Sequence, residues 1–163
     1  MVLEIAFEEP WPETADAVAL VEKCAEFVGS VAPELNHERL VTSVLFTDDD
    51  TVHALNHQWR DRDKSTNVLS FPMLDRGKLA GLAIEGPPEM LGDIALAYET
   101  CAREADEKGV SLEHHAAHLI IHGLLHLAGY DHVHSDEEAE AMEALEIAAL
   151  AKMGIPDPYG DRH

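Results

Sequence analysis

The chain has 163 residues and a formal net charge of −21, from 32 acidic and 11 basic side chains. Apolar residues make up 46% of it, which excludes a disordered acidic tail and predicts one folded domain over residues 1–163. Two cysteines are too few for a disulfide framework. Because the sequence begins without a secretory signal and contains no apolar run that could cross a bilayer, we expect a cytoplasmic protein with no membrane partner.

Hydrophobic periodicity and turn residues predict four strands and five helices along the chain. The strands are expected at 2–7, 40–47, 68–73 and 93–97, and the helices at 15–27, 48–59, 98–107, 112–127 and 136–152. The segment 75–88 is rich in glycine and proline, which predicts a long surface connection. Strands that come early and helices that come late favour an α+β fold, with a mixed four-stranded sheet packed against about five helices.

Three histidines surround a predicted helix end in the run His-Gly-Leu-Leu-His-Leu-Ala-Gly-Tyr-Asp-His. His122 and His126 are four residues apart and therefore share one helix face. Gly129 can adopt the left-handed conformation that ends a helix, which brings His132 back toward the pair. Three imidazoles leave one position of a tetrahedral ion open, as in catalytic zinc sites. The sequence thus predicts one zinc ion bound by these histidines, although other divalent transition metals also suit imidazole.

The same histidine spacing occurs in metzincin proteases, in which a glutamate directly after the first histidine is the general base. Gly123 occupies that position here, which argues against peptide hydrolysis. One alternative function is nevertheless a metzincin-like peptidase that uses Asp93 or Asp131 as the base. The other is a non-catalytic, zinc-stabilised assembly factor that docks through its acidic helix at 136–146, a run that is ordinarily a solvated helix face.

A basic segment interrupts the otherwise acidic chain. It contains five of the 11 basic residues, namely Arg60, Arg62, Lys64, Arg76 and Lys78. The Arg60 guanidinium suits a phosphate or the charge that develops on a phosphorane, so Arg60 is the predicted catalytic residue. Arg62, Lys64 and the Ser70 hydroxyl are predicted to bind neighbouring parts of the substrate. Guanidinium groups beside a metal site favour phosphodiester cleavage over peptide hydrolysis.

Three blocks of the sequence resemble the YbeY family of bacterial endoribonucleases. They are Leu-Asn-x-x-Trp-Arg and Thr-Asn-Val-Leu-Ser-Phe-Pro within 55–72, Leu-Gly-Asp-Ile at 91–94, and the histidine run at 122–132. The resemblance implies a metal-dependent, single-strand-selective endoribonuclease that matures the 3′ end of small-subunit rRNA and acts in ribosome quality control. It also implies a mixed four-stranded sheet whose central metal-binding helix resembles that of zinc metalloproteases.

The resemblance further implies site residues and partners. The three-histidine metal site of the family corresponds to His122, His126 and His132, and its functional arginine corresponds to Arg60. The expected partners are the small ribosomal subunit and a ribosomal protein or an assembly GTPase.

Overall fold

The computed structural model describes residues 1–60, 66–131 and 135–159, apart from the side chains of Trp59 and Arg60. These ranges contain four strands and six α-helices, namely β1 (Val2–Phe7), α1 (Ala15–Val31), β2 (Leu40–Thr47), α2 (Asp49–Arg60), β3 (Val68–Pro72), α3 (Arg76–Ala80), β4 (Glu89–Ala97), α4 (Tyr98–Lys108), α5 (Leu112–Leu127) and α6 (Asp136–Lys152). The predicted α+β class and mixed four-stranded sheet are confirmed. None of the helices in these ranges is long and apolar enough to span a membrane.

The helix beyond the five predicted ones is α3, which lies inside the segment 75–88 that the sequence predicted to be a connection. It forms because the Asp75 carboxylate caps it and accepts a hydrogen bond from the Gly77 amide at 2.6 Å. A helix of five residues is too short to show a 3.6-residue period in the sequence. α1 also continues past its predicted end at residue 27 to Val31, because Gly29 is buried within the helix instead of ending it.

The sheet has the strand order β1-β2-β4-β3, in which β1, β2 and β4 run parallel and β3 is an antiparallel edge strand. β4 begins at Glu89, before the predicted residue 93, because Gly92 lies within the strand and not ahead of it. A Cβ added at Gly92 would lie 2.4 Å from the Phe71 carbonyl oxygen and 2.7 Å from Leu127 Cδ2. Glycine is therefore required where α5 packs closely on β3 and β4.

The main core lies between one face of the sheet and the helices α1, α5 and α6. α5 is its centre, since 11 of the 16 residues of this helix are buried. The opposite face of the sheet packs against α2, through a smaller cluster that includes Val52 and Leu69. Because α5 contacts the sheet and three other helices, side chains along it are held in fixed positions.

Candidate metal centre

α5 is closed at both ends by local hydrogen bonds. The Ser111 hydroxyl accepts a hydrogen bond from the His114 amide at 3.1 Å and caps the first turn. Gly129 has a φ of 98°, and the Tyr130 amide donates to the Leu125 carbonyl at 3.0 Å, which is the Schellman motif. This closure turns the chain sharply after the helix and places the Tyr130 backbone against its last turn.

His122 and His126 face each other on α5, with their Nε2 atoms 3.0 Å apart. The Nδ1 atom of His126 lies 3.0 Å from the carbonyl oxygen of Tyr130. A carbonyl only accepts hydrogen bonds, so this Nδ1 carries a proton. The Nδ1 atom of His122 lies 2.5 Å from a carboxylate oxygen of Glu146 and likewise donates to it. In the neutral imidazoles, both Nε2 lone pairs therefore point into the space between the two rings.

Glu146 is fully buried and belongs to α6. Its second oxygen accepts a hydrogen bond from the Tyr159 hydroxyl at 2.6 Å. His118 Nε2 lies 3.0 Å from the same hydroxyl and 3.6 Å from the carboxylate. Burial alone raises the pKa of Glu146, but its contacts with His118, His122 and Tyr159 outweigh burial and lower the pKa to about 2. Glu146 is therefore an ionised carboxylate that fixes the orientation of the His122 ring.

The donor set of this pair fits a transition-metal ion. Two lone pairs that face each other at 3.0 Å repel unless a cation or a proton lies between them. Two imidazoles bound tetrahedrally to zinc at about 2.0–2.1 Å place their nitrogens about 3.3 Å apart, close to the observed separation. A carboxylate or carbonyl on the other ring nitrogen is the usual support of a metal-binding histidine. The pair can thus supply two ligands to one ion.

A third ligand is not found among the described residues, which contain no group of three metal-binding side chains. The predicted third ligand, His132, lies outside the described residues. The side chain of Arg60 and all of Arg62 and Lys64 lie outside them as well, although Arg60 is the last residue of α2.

Ser70 is the one predicted substrate-binding residue that the structure describes in full. It lies half-buried on β3, opposite Ile94 of β4. A Cβ added at Gly123 would lie 3.2 Å from Ser70 Oγ and 3.0 Å from Ile94 Cδ1, so β3 packs directly against α5 beside His122. A side chain at this position would therefore require Ile94 and Ser70 to shift by a few tenths of an ångström.

Asp93, one of the two acids considered as a peptidase base, faces away from the histidines. It alternates with Ile94 along β4 and lines a cavity of about 430 Å³ on the sheet face covered by α2, together with Leu55 and Phe71. Because neighbouring residues of a strand point to opposite faces, Asp93 cannot reach a metal ion held on α5.

Sequence reasoning missed Glu146, because the acidic run 136–146 was interpreted as a solvated helix face. The first turn of α6 is exposed, but Glu146 lies on the same buried stripe as Met142, Ala149 and Leu150. A carboxylate on an apolar stripe is the signal that would have revealed it, since an unpartnered charge is costly there.

A second buried network lies at the other end of α5. His115 Nε2 lies 2.9 Å from a Glu104 oxygen, and the Asn67 side-chain amide donates to the same oxygen at 2.9 Å. It links α5, α4 and the residue that precedes β3. His115 thus contacts Glu104, whereas His118, one turn further along α5, contacts Glu146 and Tyr159.

Comparison with known proteins identifies the family. A model of the family "Endoribonuclease YbeY" matches residues 9–154. The Endoribonuclease YbeY of Erythrobacter litoralis is 67% identical over 162 residues, 99% of this chain and 99% of that protein. The Endoribonuclease YbeY of Novosphingobium aromaticivorans is 57% identical over 159 residues, 97% of this chain and 95% of that protein. The solution structure of TM1509 from Thermotoga maritima has a similar fold, with a TM-score of 0.58, 24% identity, and coverage of 93% of this chain and 91% of that one. The chain therefore belongs to the Endoribonuclease YbeY family and is an RNA-cleaving hydrolase.

Proposed function

We propose that the protein is a metal-dependent endoribonuclease selective for single strands, with one zinc ion held by His122, His126 and His132. The observation that carries the proposal is the pair of Nε2 atoms 3.0 Å apart, each on a ring whose Nδ1 donates to a fixed acceptor. The carboxylate-free ligand set and the basic segment of the sequence support phosphodiester cleavage over peptide hydrolysis.

In this proposal, His122, His126 and His132 would hold a zinc ion, which would supply Lewis-acid chemistry for phosphodiester hydrolysis at neutral pH. Glu146 keeps a proton on His122 Nδ1, and the Tyr130 carbonyl does the same for His126. Arg60 stabilises the negative charge that develops on the phosphorane, as a guanidinium donor can in two parallel hydrogen bonds. Arg62, Lys64 and Ser70 hold neighbouring parts of the RNA.

We further propose that the substrate is rRNA, cleaved near the 3′ end of the small-subunit rRNA and during ribosome quality control, in the cytoplasm. A chain with a net charge of −21 attracts free RNA only through its few basic residues. The small ribosomal subunit, with a ribosomal protein or an assembly GTPase, would supply the remaining affinity. This explains why a strongly acidic protein can act on RNA.

The metal proposal is tested with His126→Ala, because this change removes one ligand without depriving Glu146 of its partner His122. Elemental analysis of the purified wild type should find about one zinc or related ion per chain. The variant should retain much less metal and should not cleave a short single-stranded RNA. His114→Ala, at an exposed position of α5, is the matched control and should retain both.

Equal metal content in His126→Ala and the wild type would refute the ligand assignment. Degradation of casein by a wild type that leaves RNA intact would support the peptidase alternative. Analysis of the cleaved RNA ends distinguishes attack by water, which gives a simple phosphate end, from attack by the RNA 2′-hydroxyl, which gives a cyclic one. Loss of cleavage in Arg60→Ala with unchanged metal content would assign Arg60 to the reaction.

A further inference from the structure

Arg76, the first residue of α3, lies across the end of the histidine-bearing helix. A Cβ added at Gly129 would lie 2.8–3.0 Å from the Cβ, Cγ and Cδ atoms of Arg76, so the arginine stem packs flat against this glycine. The guanidinium carbon lies 4.9 Å from the centre of the Tyr130 ring, at the distance of a cation–π contact. Both ends of the Arg76 side chain are therefore held by the turn that closes α5.

The guanidinium group of Arg76 is held in place by these contacts, but its positive charge is not neutralised by an ion pair among the described residues. Arg76 is exposed, and among the described residues no hydrogen bond or ion pair engages its guanidinium. The acidic group at the far end of the Tyr130 ring, Glu34, accepts a hydrogen bond from the Tyr130 hydroxyl at 2.7 Å. Arg76 thus presents an exposed guanidinium group that is held in place by its contacts with Gly129 and Tyr130.

The turn that holds Arg76 also supports the candidate metal centre. The carbonyl of Tyr130 accepts the hydrogen bond from His126 Nδ1, and the guanidinium of Arg76 lies over the ring of the same tyrosine. One residue therefore connects Arg76 to a proposed zinc ligand. A cation in this position would meet an anionic polymer that enters the site.

We propose that Arg76 binds a backbone phosphate of single-stranded RNA that adjoins the cleavage site. This inference rests on the proposed RNA cleavage at the histidine centre and adds a contact from outside the segment 60–64. A guanidinium binds phosphate with two parallel hydrogen bonds, and a side chain that is already ordered loses little conformational entropy on binding. Arg76 is a substrate-binding residue in this scheme and takes no part in proton transfer.

The test compares Arg76→Ala with Lys78→Ala in the metal-loaded full chain. Both variants remove one positive charge from α3, but residues 76 and 78 are about 200° apart around a helix, so they occupy different sides. Cleavage of a short, unstructured, fluorescein-labelled RNA gives KM and kcat, and anisotropy with the 2′-O-methyl form of the same strand gives Kd. Thermal melting of each variant reports on folding.

Arg76→Ala should raise KM and Kd by about tenfold, with kcat changed by less than about twofold. The slope of log Kd against log salt between about 50 and 200 mM should fall by about 0.7, the contribution of one phosphate contact in a single strand. Arg76→Lys should retain part of the affinity. Lys78→Ala should change Kd by no more than about twofold, because it alters only the long-range potential.

Equal Kd values and equal salt slopes for Arg76→Ala and Lys78→Ala would overturn the assignment of Arg76 while leaving RNA cleavage by the wild type intact. A large fall in kcat at unchanged KM would also overturn it, since that pattern belongs to the reaction step. A wild type that neither binds nor cleaves single-stranded RNA would refute the proposed function itself.

Discussion

Glu146 is a charged residue with no exposed surface, and each of its oxygens has its own partner. Its negative charge raises the basicity of His122 and balances the positive charge that an ion brings into the site. The Tyr159 hydroxyl orients the carboxylate from the other side. Although it lies on α6, Glu146 is therefore part of the candidate metal centre on α5.

Glu146→Gln should lower the affinity for zinc by about 10- to 100-fold, because the amide preserves the shape but removes the charge behind His122. Competition between the protein and a chelating dye measures this affinity. Glu140→Gln, at an exposed position of the same helix, is the control and should bind zinc like the wild type. Unchanged affinity in Glu146→Gln would contradict this role of the carboxylate.

Gly92 is required for packing, which gives a physical reason for the Leu-Gly-Asp block. Gly92→Ala should lower the free energy of unfolding by about 2–3 kcal/mol, because the new methyl group meets the Phe71 carbonyl and Leu127. Gly109→Ala is the comparison, since Gly109 has a φ of 68° and nothing within 4 Å of an added Cβ. Gly109→Ala should lower the free energy of unfolding by only about 1 kcal/mol, because it adds backbone strain but no clash.

Urea unfolding followed by tryptophan fluorescence measures both glycine variants. Equal losses of unfolding free energy in the two variants would contradict the prediction, because they would show that α5, β3 and β4 can accommodate the added methyl group.

At the scale of elements, the His115–Glu104–Asn67 network joins α5 and α4 to the start of β3. Asn67 immediately precedes β3, and β3 carries Ser70 beside α5. The network therefore fixes the edge strand relative to the helix that bears the histidines. Its buried imidazole also makes the fold sensitive to acid.

Burial lowers the pKa of His115 despite its carboxylate partner. The unfolded chain thus binds a proton more readily than the native state, and the free energy of unfolding decreases as the pH falls below about 6.5. Burial opposes the ionised form of Glu104, but hydrogen bonds from His115 and Asn67 lower the pKa of this carboxyl overall, so stability falls further in stronger acid.

His115→Gln retains a donor for Glu104 but does not titrate. The loss of unfolding free energy between about pH 7 and pH 5 should therefore be smaller in this variant than in the wild type. Urea unfolding at a series of pH values measures the difference. His114→Gln, at the exposed neighbouring position, should behave like the wild type, and identical pH slopes in all three proteins would contradict the prediction.

The parts of the fold that were predictable from sequence are those with local signals. The bounds of α5 were predicted correctly because Ser111 caps the helix and Gly129 ends it. The position of Gly92 inside β4 and the burial of Glu146 were missed, since both depend on chain segments far away in sequence. The pairing of His122 with His126 followed from helical spacing alone, whereas the supporting carboxylate required the tertiary structure.

At the scale of the whole molecule, the acidic surface sets two opposite responses to salt. Self-repulsion in a chain with a net charge of −21 destabilises the compact state, and salt screens this repulsion. Salt also weakens the proposed contacts between the few basic residues and RNA, because salt ions compete for the phosphates. Folding and RNA binding therefore respond to ionic strength with opposite signs.

Raising potassium chloride from about 20 to 200 mM should increase the melting temperature by a few degrees while weakening the binding of single-stranded RNA. Calorimetry and fluorescence anisotropy in the same buffers measure the two effects. A melting temperature that falls with salt would show that attractive ion pairs outweigh the repulsion among the acidic groups.

The bond from Glu146 to His122 reaches back 24 residues, and Tyr159 follows Glu146 by another 13. A ribosome delivers a nascent chain from its amino end, so His122 emerges before the carboxylate that orients its ring and before the phenol that orients this carboxylate. During translation, the candidate ligand His122 is therefore present before the carboxylate that supports it. The backward reach of this contact thus delays the final geometry of the histidine pair until the chain has been synthesised as far as Tyr159.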